Sequence, residues 1–266
     1  MQLSSASYQL IGNFPMASEI SVILPTYSEA ENIAMLIEQI ESLPFSISIL
    51  VIDDSSPDET AAIVKNLQRK YPNILLCSRP RKSGLGTALT DGFRILLSLK
   101  SPPNLIVTMD ADYSHTPTNL PKLLPPFKKR CGIVIGSRYC RGGLINGWPW
   151  KRRIISRIAN ILVKKLLNLK PYDCTSGFRC YSTEFLKLAT DSLNSKTYEI
   201  QIETLRKAIN WNFAIREIPI SFTDRKSGKS KLNLPALQNY FYFILKNIIQ
   251  EQSRKLKVHT SKMDYR

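Results

Sequence analysis

The chain has 266 residues, with 37 Lys and Arg against 21 Asp and Glu, and its formal net charge is +16 at pH 7. Its hydrophobic content of 43% is that of a globular protein, and the absence of any run of 18 apolar residues argues against a transmembrane span. The positive charge predicts a polyanionic partner: nucleic acid, an anionic membrane face or a phosphorylated small molecule.

Three further features narrow the class of protein. Nucleic acid is the weakest of these partners, because the sequence has no zinc-finger spacing, no aromatic-basic ribonucleoprotein motif and no arginine-rich arm. Residues 1–18 lack the basic start and apolar centre of a signal peptide, so we expect a cytosolic protein. The five cysteines form no CxxC pair and are odd in number, which predicts reduced structural thiols.

Buried strands and amphipathic helices alternate along the first half of the chain. The predicted strands are 20–24, 48–52, 73–77, 105–109 and 132–135, and the predicted helices are 29–41, 61–71, 84–99 and 120–129. Beyond residue 138 we predict a long basic helix over 148–169, a short strand over 177–181, further helix through 209 and an alternating strand over 213–222. This alternation predicts an α/β fold, with a mostly parallel sheet and helices on both faces.

The domain organisation follows from the same pattern. We expect an N-terminal extension over 1–18, one catalytic domain over 19–231, and a C-terminal amphipathic helix with a basic tail over 232–266. The apolar stretch 232–249 is compatible with an interfacial helix at a membrane and with a helix packed on the core, and both interpretations remain open.

Polar clusters follow three of the predicted strands, at residues 25–29, 53–54 and 110–112. In a parallel sheet these clusters meet at the carboxyl edge, where α/β proteins bind ligands. Asp110 and Asp112 are one residue apart, and two such carboxylates suit a divalent cation, Mg²⁺ or Mn²⁺, that substrate phosphates complete. An isolated Asp-x-Asp pair is equally typical of solvated turns, so the interpretation depends on the three clusters together.

The ordered motifs resemble those of glycosyltransferase family 2, and within it the dolichol- or polyprenol-phosphate mannosyltransferase catalytic subunits. They cover about residues 20 to 232, and they are PTYSE at 25–29, VIDDSSPD at 51–58, GLG at 84–86, MDADYSH at 109–115, GSRY at 136–139, KRRIIS at 151–156, TSGFR at 175–179 and PISFTDR at 219–225. The resemblance implies the GT-A nucleotide-diphospho-sugar transferase fold.

The resemblance also implies roles for individual residues. The nucleoside pocket would be lined by Pro25, Tyr27, Glu29, Ile52 and Asp54. The sugar diphosphate and its metal would be held by Asp110, Ala111, Asp112, Arg138, Arg225 and Lys231, with Asp112 and Arg138 as catalytic residues. The acceptor phosphate would contact Arg152, Arg153, Ser156 and Arg179.

One position departs from the family pattern. Some relatives have a Gln two residues after the second Asp as a third metal ligand, and this chain has Ser114, a shorter and weaker ligand. His115 is expected to be partly exposed beside the loop, and its role as a ligand is left open. Asp53 is expected to point away from the ligand, with a helix N-cap as its alternative role.

The expected reaction is inverting transfer of mannose from GDP-mannose to a polyprenyl phosphate, with Mg²⁺ or Mn²⁺ as cofactor. The enzyme would be cytoplasmic and attached peripherally to the cytoplasmic face of a membrane, where a small membrane subunit could assist it. The alternatives are a UDP-hexose or UDP-N-acetylhexosamine donor and a soluble or protein acceptor. A phosphorylated signalling receiver needs only about half this length and leaves residues 110–112 without a role. A basic lipid-binding module predicts that Asp112→Asn would not matter.

Overall fold

A computed structural model describes residues 8–12, 18–124 and 130–224. The strands are β1 Gln9–Ile11, β2 Ile20–Thr26, β3 Ile47–Asp53, β4 Ile74–Ser78, β5 Leu105–Thr108, β6 Cys131–Ser137, β7 Leu144–Asn146, β8 Arg179–Ser182, β9 Ala214–Pro219 and β10 Ser221–Thr223. The α-helices are α1 Ala30–Glu41, α2 Thr60–Lys70, α3 Leu85–Leu97, α4 Leu120–Leu123, α5 Trp150–Leu166, α6 Thr183–Ala189 and α7 Ile200–Asn210.

β2 lies inside an eight-stranded sheet of order β1-β4-β3-β2-β5-β8-β6-β9. β4, β3, β2 and β5 are parallel to one another and β9 is parallel to β6, whereas β1 and β8 run antiparallel to their neighbours. β7 and β10 form a separate parallel pair. The predicted α/β class with a mostly parallel sheet is confirmed.

Apolar side chains cover both faces of this sheet. On β2, Val22 and Leu24 belong to the cluster that includes the buried apolar residues of α1 and α2. Ile23, between them, belongs to the cluster that α3, α6 and α7 cover. Alternate residues of a strand point to opposite faces, so a continuous apolar run is the sequence signature of a strand buried on both sides.

β2 does not end at residue 24 as predicted, because it continues through Pro25 to Thr26. The Ile23 carbonyl accepts the Met109 N–H at 3.2 Å, so residues 23 and 25 present their backbone groups toward β5. β5 pairs with β2 only as far as Ile23 and Thr108. Proline has no N–H to donate, but at Pro25 this costs no hydrogen bond, because β5 is no longer paired with β2 there.

Other predicted boundaries also changed. Residues 9–11, assigned to an N-terminal extension, form β1 on the sheet edge. The strand predicted over 213–222 is divided between β9 in the main sheet and β10 beside β7. α4 has one turn, and residues 125–129 of the helix predicted there lie outside the described residues, as do Arg225, Lys231 and the segment 232–266. Among the described helices, none is long and apolar enough to cross a membrane.

Arg179 is fully buried and joins β8 to α7. Its Nε donates to the Ser176 carbonyl at 2.8 Å, and its Nη2 donates to the Cys174 carbonyl at 2.9 Å. Its Nη1 donates to the Gln201 carbonyl at 2.6 Å and to Thr204 Oγ1 at 3.1 Å. The prediction that Arg179 holds the acceptor phosphate is therefore wrong, because the protein interior surrounds this guanidinium and engages all three of its nitrogens.

The Arg179→Met variant is expected to lower the free energy of unfolding by about 3 kcal/mol, because three buried carbonyls lose their donor. Urea denaturation followed by circular dichroism measures the change. Arg179→Lys keeps the charge but loses the planar guanidinium group. Its free energy of unfolding should therefore lie between those of Arg179→Met and the wild type. The exposed Arg69 gives a control, since Arg69→Met should change stability by less than about 0.5 kcal/mol. Unchanged stability in Arg179→Met would contradict the structural role.

Candidate active site

The carboxyl ends of β2, β3 and β5 open into a cavity of about 230 Å³. Seven of the residues predicted to bind the donor line it: Pro25, Tyr27, Glu29, Asp54, Asp110, Ala111 and Asp112. The lining also includes residues that the sequence analysis did not identify, among them Lys82, Thr197 and Tyr198. The three polar clusters at the strand ends thus form one site.

Tyr27 and Glu29 are held in place on one wall of the cavity. The Lys82 ammonium lies 3.8 Å from the centroid of the Tyr27 ring, at cation–π distance. Glu29 is buried and its Oε2 accepts a hydrogen bond from Asn32 Nδ2 at 2.9 Å. The wall therefore offers an aromatic face and a carboxylate, which suit a base and its polar edge.

Asp54 shares one buried guanidinium with Asp91. Arg79 Nε donates to Asp54 Oδ1 at 2.5 Å and Arg79 Nη1 donates to Asp91 Oδ2 at 3.0 Å. Burial alone would lower the pKa of Arg79, but the hydrogen bonds and charges of Asp54 and Asp91 outweigh it and raise the pKa. The Asp54 carboxylate is therefore held in one orientation at the cavity. The sequence analysis missed Arg79, although its position directly after β4 places it at the same sheet edge.

Asp53 lies beside this pair and points away from the cavity, as expected. Its Oδ1 accepts from Thr26 Oγ1 at 2.9 Å, and its Oδ2 accepts from the Ser56 N–H at 3.0 Å. Asp53 therefore shapes the turn after β3. Its alternative role as a helix N-cap is wrong, because α2 begins later, after Glu59.

The glycines that open α3 allow a second loop to approach. A Cβ on Gly84 would collide with the Lys196 carbonyl, and Gly86 donates its N–H to that carbonyl at 3.0 Å. Gly84 also has φ +99°, in the left-handed region that favours glycine. Glu199 Oε1 accepts the Lys196 N–H at 2.9 Å and fixes the loop. These contacts bring residues 197–198 to the cavity from a distant part of the chain.

Asp110 and Asp112 fit a divalent cation. The Asp110 side chain is 39% exposed, whereas Asp112 is buried and its Oδ1 accepts the Ser114 N–H at 3.1 Å. A Cβ on Gly177 would lie 3.1 Å from Asp110 Oδ1, so the glycine keeps the space beside this carboxylate open. Within the described residues, no group of three His, Cys, Asp or Glu is arranged to hold a metal. Two carboxylates beside open space suit a cation whose shell the substrate phosphates complete.

Ser114 and His115 follow this pair and are both buried. The predicted ligation of a metal by the Ser114 hydroxyl stays a prediction. His115 is not partly exposed as expected; its ring stacks on Phe178 at 5.2 Å. Burial lowers the pKa of His115 to about 4 against the opposing charge of Asp112, so the imidazole is neutral at pH 7. Its Nδ1 has no hydrogen-bond partner and lies 3.7 Å from Asp110 Oδ2, which leaves a buried polar atom beside the Asp110 carboxylate.

Arg138 is buried against Asp173. Its Nε and Nη2 donate to the two Asp173 carboxylate oxygens, each at 2.8 Å, and Nη2 also donates to Thr175 Oγ1 at 2.8 Å. The rings of Phe222 and Trp148 lie 5.3 and 5.7 Å from the guanidinium carbon. Nε and Nη2 make these hydrogen bonds, so a contact of Arg138 with the donor diphosphate would use Nη1. That contact stays a prediction.

Three of the predicted acceptor residues lie on the first two turns of α5: Arg152, Arg153 and Ser156. The Ser156 hydroxyl is 2.7 Å from the Tyr139 hydroxyl. Arg152 Nη1 donates to the Asp224 carboxylate at 3.1 and 3.2 Å, and its guanidinium lies 4.1 Å from the Trp148 ring. Because Trp148 and Tyr139 also contact Arg138, the structure brings this cluster next to Arg138.

Ile52 does not reach the cavity with its side chain, contrary to the prediction. It is fully buried beneath α3, where a Cβ on Gly92 would lie 2.7 Å from Ile52 Cδ1. Its backbone carbonyl accepts from Thr26 Oγ1 at 3.3 Å. Because β3 is buried on both faces, the Ile52 side chain packs in the core, and Asp54, just beyond the strand end, lines the cavity instead.

Known proteins share both the sequence pattern and the fold. The family model described as Glycosyl transferase family 2 matches residues 21–188. The chain belongs to glycosyl transferase family 2. This family 2 member is similar to polyprenol monophosphomannose synthase of Mycolicibacterium smegmatis, with 38% identity over 214 residues and 80% of each chain covered. It is also similar to undecaprenyl-phosphate mannosyltransferase of Micrococcus luteus, with 33% identity over 80% of this chain and 87% of the relative.

A solved structure shows the same architecture in a more distant protein. Glucosyl-3-phosphoglycerate synthase of Mycobacterium tuberculosis, in complex with Mn²⁺, UDP and glucosyl-3-phosphoglycerate, matches with a TM-score of 0.58 and 19% identity. The match covers 88% of this chain and 79% of that one. The predicted GT-A nucleotide-sugar transferase fold is thereby confirmed for this family 2 chain.

In this family 2 enzyme, Arg79→Lys is expected to weaken the binding of a nucleoside diphosphate by roughly tenfold, because an ammonium cannot bridge Asp54 and Asp91 as a fork does. Isothermal titration calorimetry with GDP measures this effect without any acceptor. The matched control is Arg81→Lys, which makes the same change at an exposed position two residues on and should leave the affinity unchanged. Equal affinities for both variants would show that Arg79 does not position Asp54.

Proposed function

We propose that this enzyme transfers mannose from GDP-mannose to the phosphate of a polyprenyl, dolichyl-type lipid, with inversion at the anomeric carbon. The observation that carries the proposal is that Arg138 lies near both candidate substrate regions. On the cavity side, the charge of Asp110 helps to raise the pKa of Arg138, and on the other side the Tyr139 ring lies 5.4 Å from the Arg138 guanidinium and its hydroxyl 2.7 Å from that of Ser156. The names of the two bacterial relatives support mannose as the sugar and a polyprenyl phosphate as the acceptor.

The donor would bind in the cavity. Tyr27 offers a ring for the base, and the fixed carboxylates of Asp54 and Glu29 are acceptors for ribose hydroxyls and base N–H groups. Lys82 beside Tyr27 adds positive charge to this wall, which favours an anionic nucleotide. A guanine presents more N–H donors than a uracil, which favours carboxylates in its pocket and supports GDP-mannose over a UDP-sugar.

Mg²⁺ or Mn²⁺ is the proposed cofactor, and Asp110 and Asp112 would hold it. When bound, the cation neutralises the negative charge that develops on the nucleoside diphosphate as it leaves. The structural support is the open space that Gly177 leaves beside Asp110 and the unpaired His115 Nδ1 near the same carboxylate. The Mycobacterium tuberculosis enzyme with this fold was crystallised with Mn²⁺, which is consistent with such a site.

The acceptor phosphate needs orientation rather than activation. A phosphate monoester is largely a dianion at pH 7, so one of its oxygens attacks the anomeric carbon without losing a proton. The bond between that carbon and GDP breaks, and its electron pair leaves with GDP. Arg152 and Ser156 would orient the phosphate, and Arg138 would neutralise charge between the two substrates. Attack opposite the leaving group converts the α-linked donor into polyprenyl-phosphate β-mannose.

The lipid acceptor stays in the bilayer, so the enzyme has to approach the membrane surface. We place it peripherally on the cytoplasmic face, where a net charge of +16 favours anionic lipid. A small membrane subunit that assists this attachment is a further proposed partner.

Transfer of radiolabelled sugar to a polyprenyl phosphate in detergent tests this function. GDP-mannose, UDP-glucose and UDP-N-acetylglucosamine are compared with Mg²⁺, with Mn²⁺ and with EDTA, and each arm is repeated with added membrane extract. We expect metal-dependent label in the lipid fraction from GDP-mannose alone. Label from a UDP-sugar would replace the donor and keep the mechanism. Absence of lipid label in every arm, including those with extract, would overturn the acceptor.

Asp112→Asn is expected to reduce kcat by on the order of 10²–10³, because an amide cannot supply the charge that the metal site requires. The same transfer assay measures the loss, and thermal unfolding checks that the fold is retained. Asp191→Asn makes the same change at an exposed position and should retain full turnover. Full turnover of Asp112→Asn would contradict the metal-binding role and favour a non-catalytic lipid-binding function.

A further inference from the structure

α5 exposes a large apolar surface to solvent. Seven of its apolar side chains are between 45% and 68% exposed: Trp150, Ile154, Ile155, Ile158, Ile161, Leu162 and Leu166. At 3.6 residues per turn they occupy one side of the helix, over roughly 160° of its circumference. We call these seven residues the α5 apolar face. The other exposed large apolar residues of the described chain lie on separate elements: Leu10, Met35, Phe45, Leu144, Tyr172, Leu188 and Ile209.

The side of α5 that packs on the protein is, by contrast, largely polar. Its buried residues are Asn160 and Val163. Asn160 Oδ1 accepts the Cys174 N–H at 2.8 Å, and Asn160 Nδ2 donates to Thr175 Oγ1 at 3.1 Å. A helix on a protein surface ordinarily turns its apolar side inward, and α5 does the reverse. A contiguous exposed face of this kind marks an interaction surface rather than a scatter of single apolar residues.

The charges on α5 identify the partner. The helix has six basic and no acidic side chains: Lys151, Arg152, Arg153, Arg157, Lys164 and Lys165. A second copy of the same basic helix would repel it. The basic segment 250–266 would not complement it either, and the apolar segment 232–249 is the competing occupant if the wild type does not bind vesicles. An apolar face combined with Lys and Arg, in a helix that is not long and apolar enough to span a membrane, is the pattern of a helix that lies in the plane of an anionic bilayer surface.

We propose that the α5 apolar face inserts into the surface of a bilayer that contains anionic lipid, with α5 parallel to the membrane plane. Ser156 and Arg152 lie on the other side of the same helix, next to Tyr139 and Trp148. Docking through α5 therefore places these residues at the level of the lipid headgroups. That second step rests on the proposed function, because it assumes that the headgroup is the acceptor phosphate.

The test is binding of the full chain to vesicles of phosphatidylcholine alone and of phosphatidylcholine with phosphatidylglycerol, measured by flotation. The variant is Ile155→Glu with Ile158→Glu, and the matched control is Leu188→Glu, which places one glutamate on α6 at a residue as exposed as Ile158. Circular dichroism and thermal unfolding check the fold. Ile155→Asn alone is the milder variant if the double variant unfolds.

We expect the wild type and Leu188→Glu to bind the anionic vesicles more tightly than neutral ones, and the double variant to bind them at least roughly tenfold more weakly. Ile155→Asn should weaken binding in the same direction by a smaller factor. Equal binding by the double variant and the wild type, or no binding by the wild type, would overturn the proposal. A dimer in sedimentation that depends on the α5 apolar face, without vesicle binding, would also overturn it in favour of a second copy.

A transfer assay with a short, water-soluble prenyl phosphate separates this proposal from the proposed function. The double variant should transfer mannose to the soluble acceptor as fast as the wild type and lose transfer to an acceptor embedded in vesicles by at least roughly tenfold. Vesicle binding without transfer to either acceptor in the wild type would overturn the proposed function and leave docking through α5 in place.

Discussion

The parallel pairing of β2 with β3 on one side and β5 on the other determines where the site forms. β2 and β3 are paired over seven residues, from Ile20 to Thr26. A slip of one residue would turn every buried side chain of β2 to the opposite face, so the packing of both faces holds the register. The carboxyl ends of the three strands consequently meet at one edge, and the turns that follow them bring Tyr27, Asp54 and Asp110 to one cavity.

That arrangement concentrates negative charge, and two buried arginines compensate much of it. Arg79 is shared by Asp54 and Asp91, and Arg138 holds both oxygens of Asp173. Buried ion pairs contribute little net stability, because desolvation offsets their attraction, but removal of one partner is costly. The value of these pairs in this enzyme is orientation, since each fixes one group that faces a proposed substrate. Asp110 and Asp112, which line the cavity, are the proposed ligands of the cation.

α5 packs on the protein through one side and exposes its apolar face on the other. In most amphipathic helices, burial of the apolar side against the core stabilises the fold. α5 attaches instead through hydrogen bonds of Asn160 and the packing of Val163. Its apolar area therefore adds stability only when a partner covers it. The helix also carries Ser156 and Arg152, the proposed acceptor residues, so the α5 apolar face and these residues belong to one element.

Local patterns in the sequence determined the element order, the sheet class and the convergence of Asp54, Asp110 and Asp112, because strand and helix periods and the edge rule for parallel sheets depend on nearby residues. The tertiary structure decided which side chains in those motifs face a ligand. Ile52 and Arg179 are both motif residues, yet α3 covers one and α7 supplies partners to the other. Residues 197–198 enter the site only through packing. Burial depends on elements that are distant in the chain, so a local sequence pattern does not predict which side chains are buried.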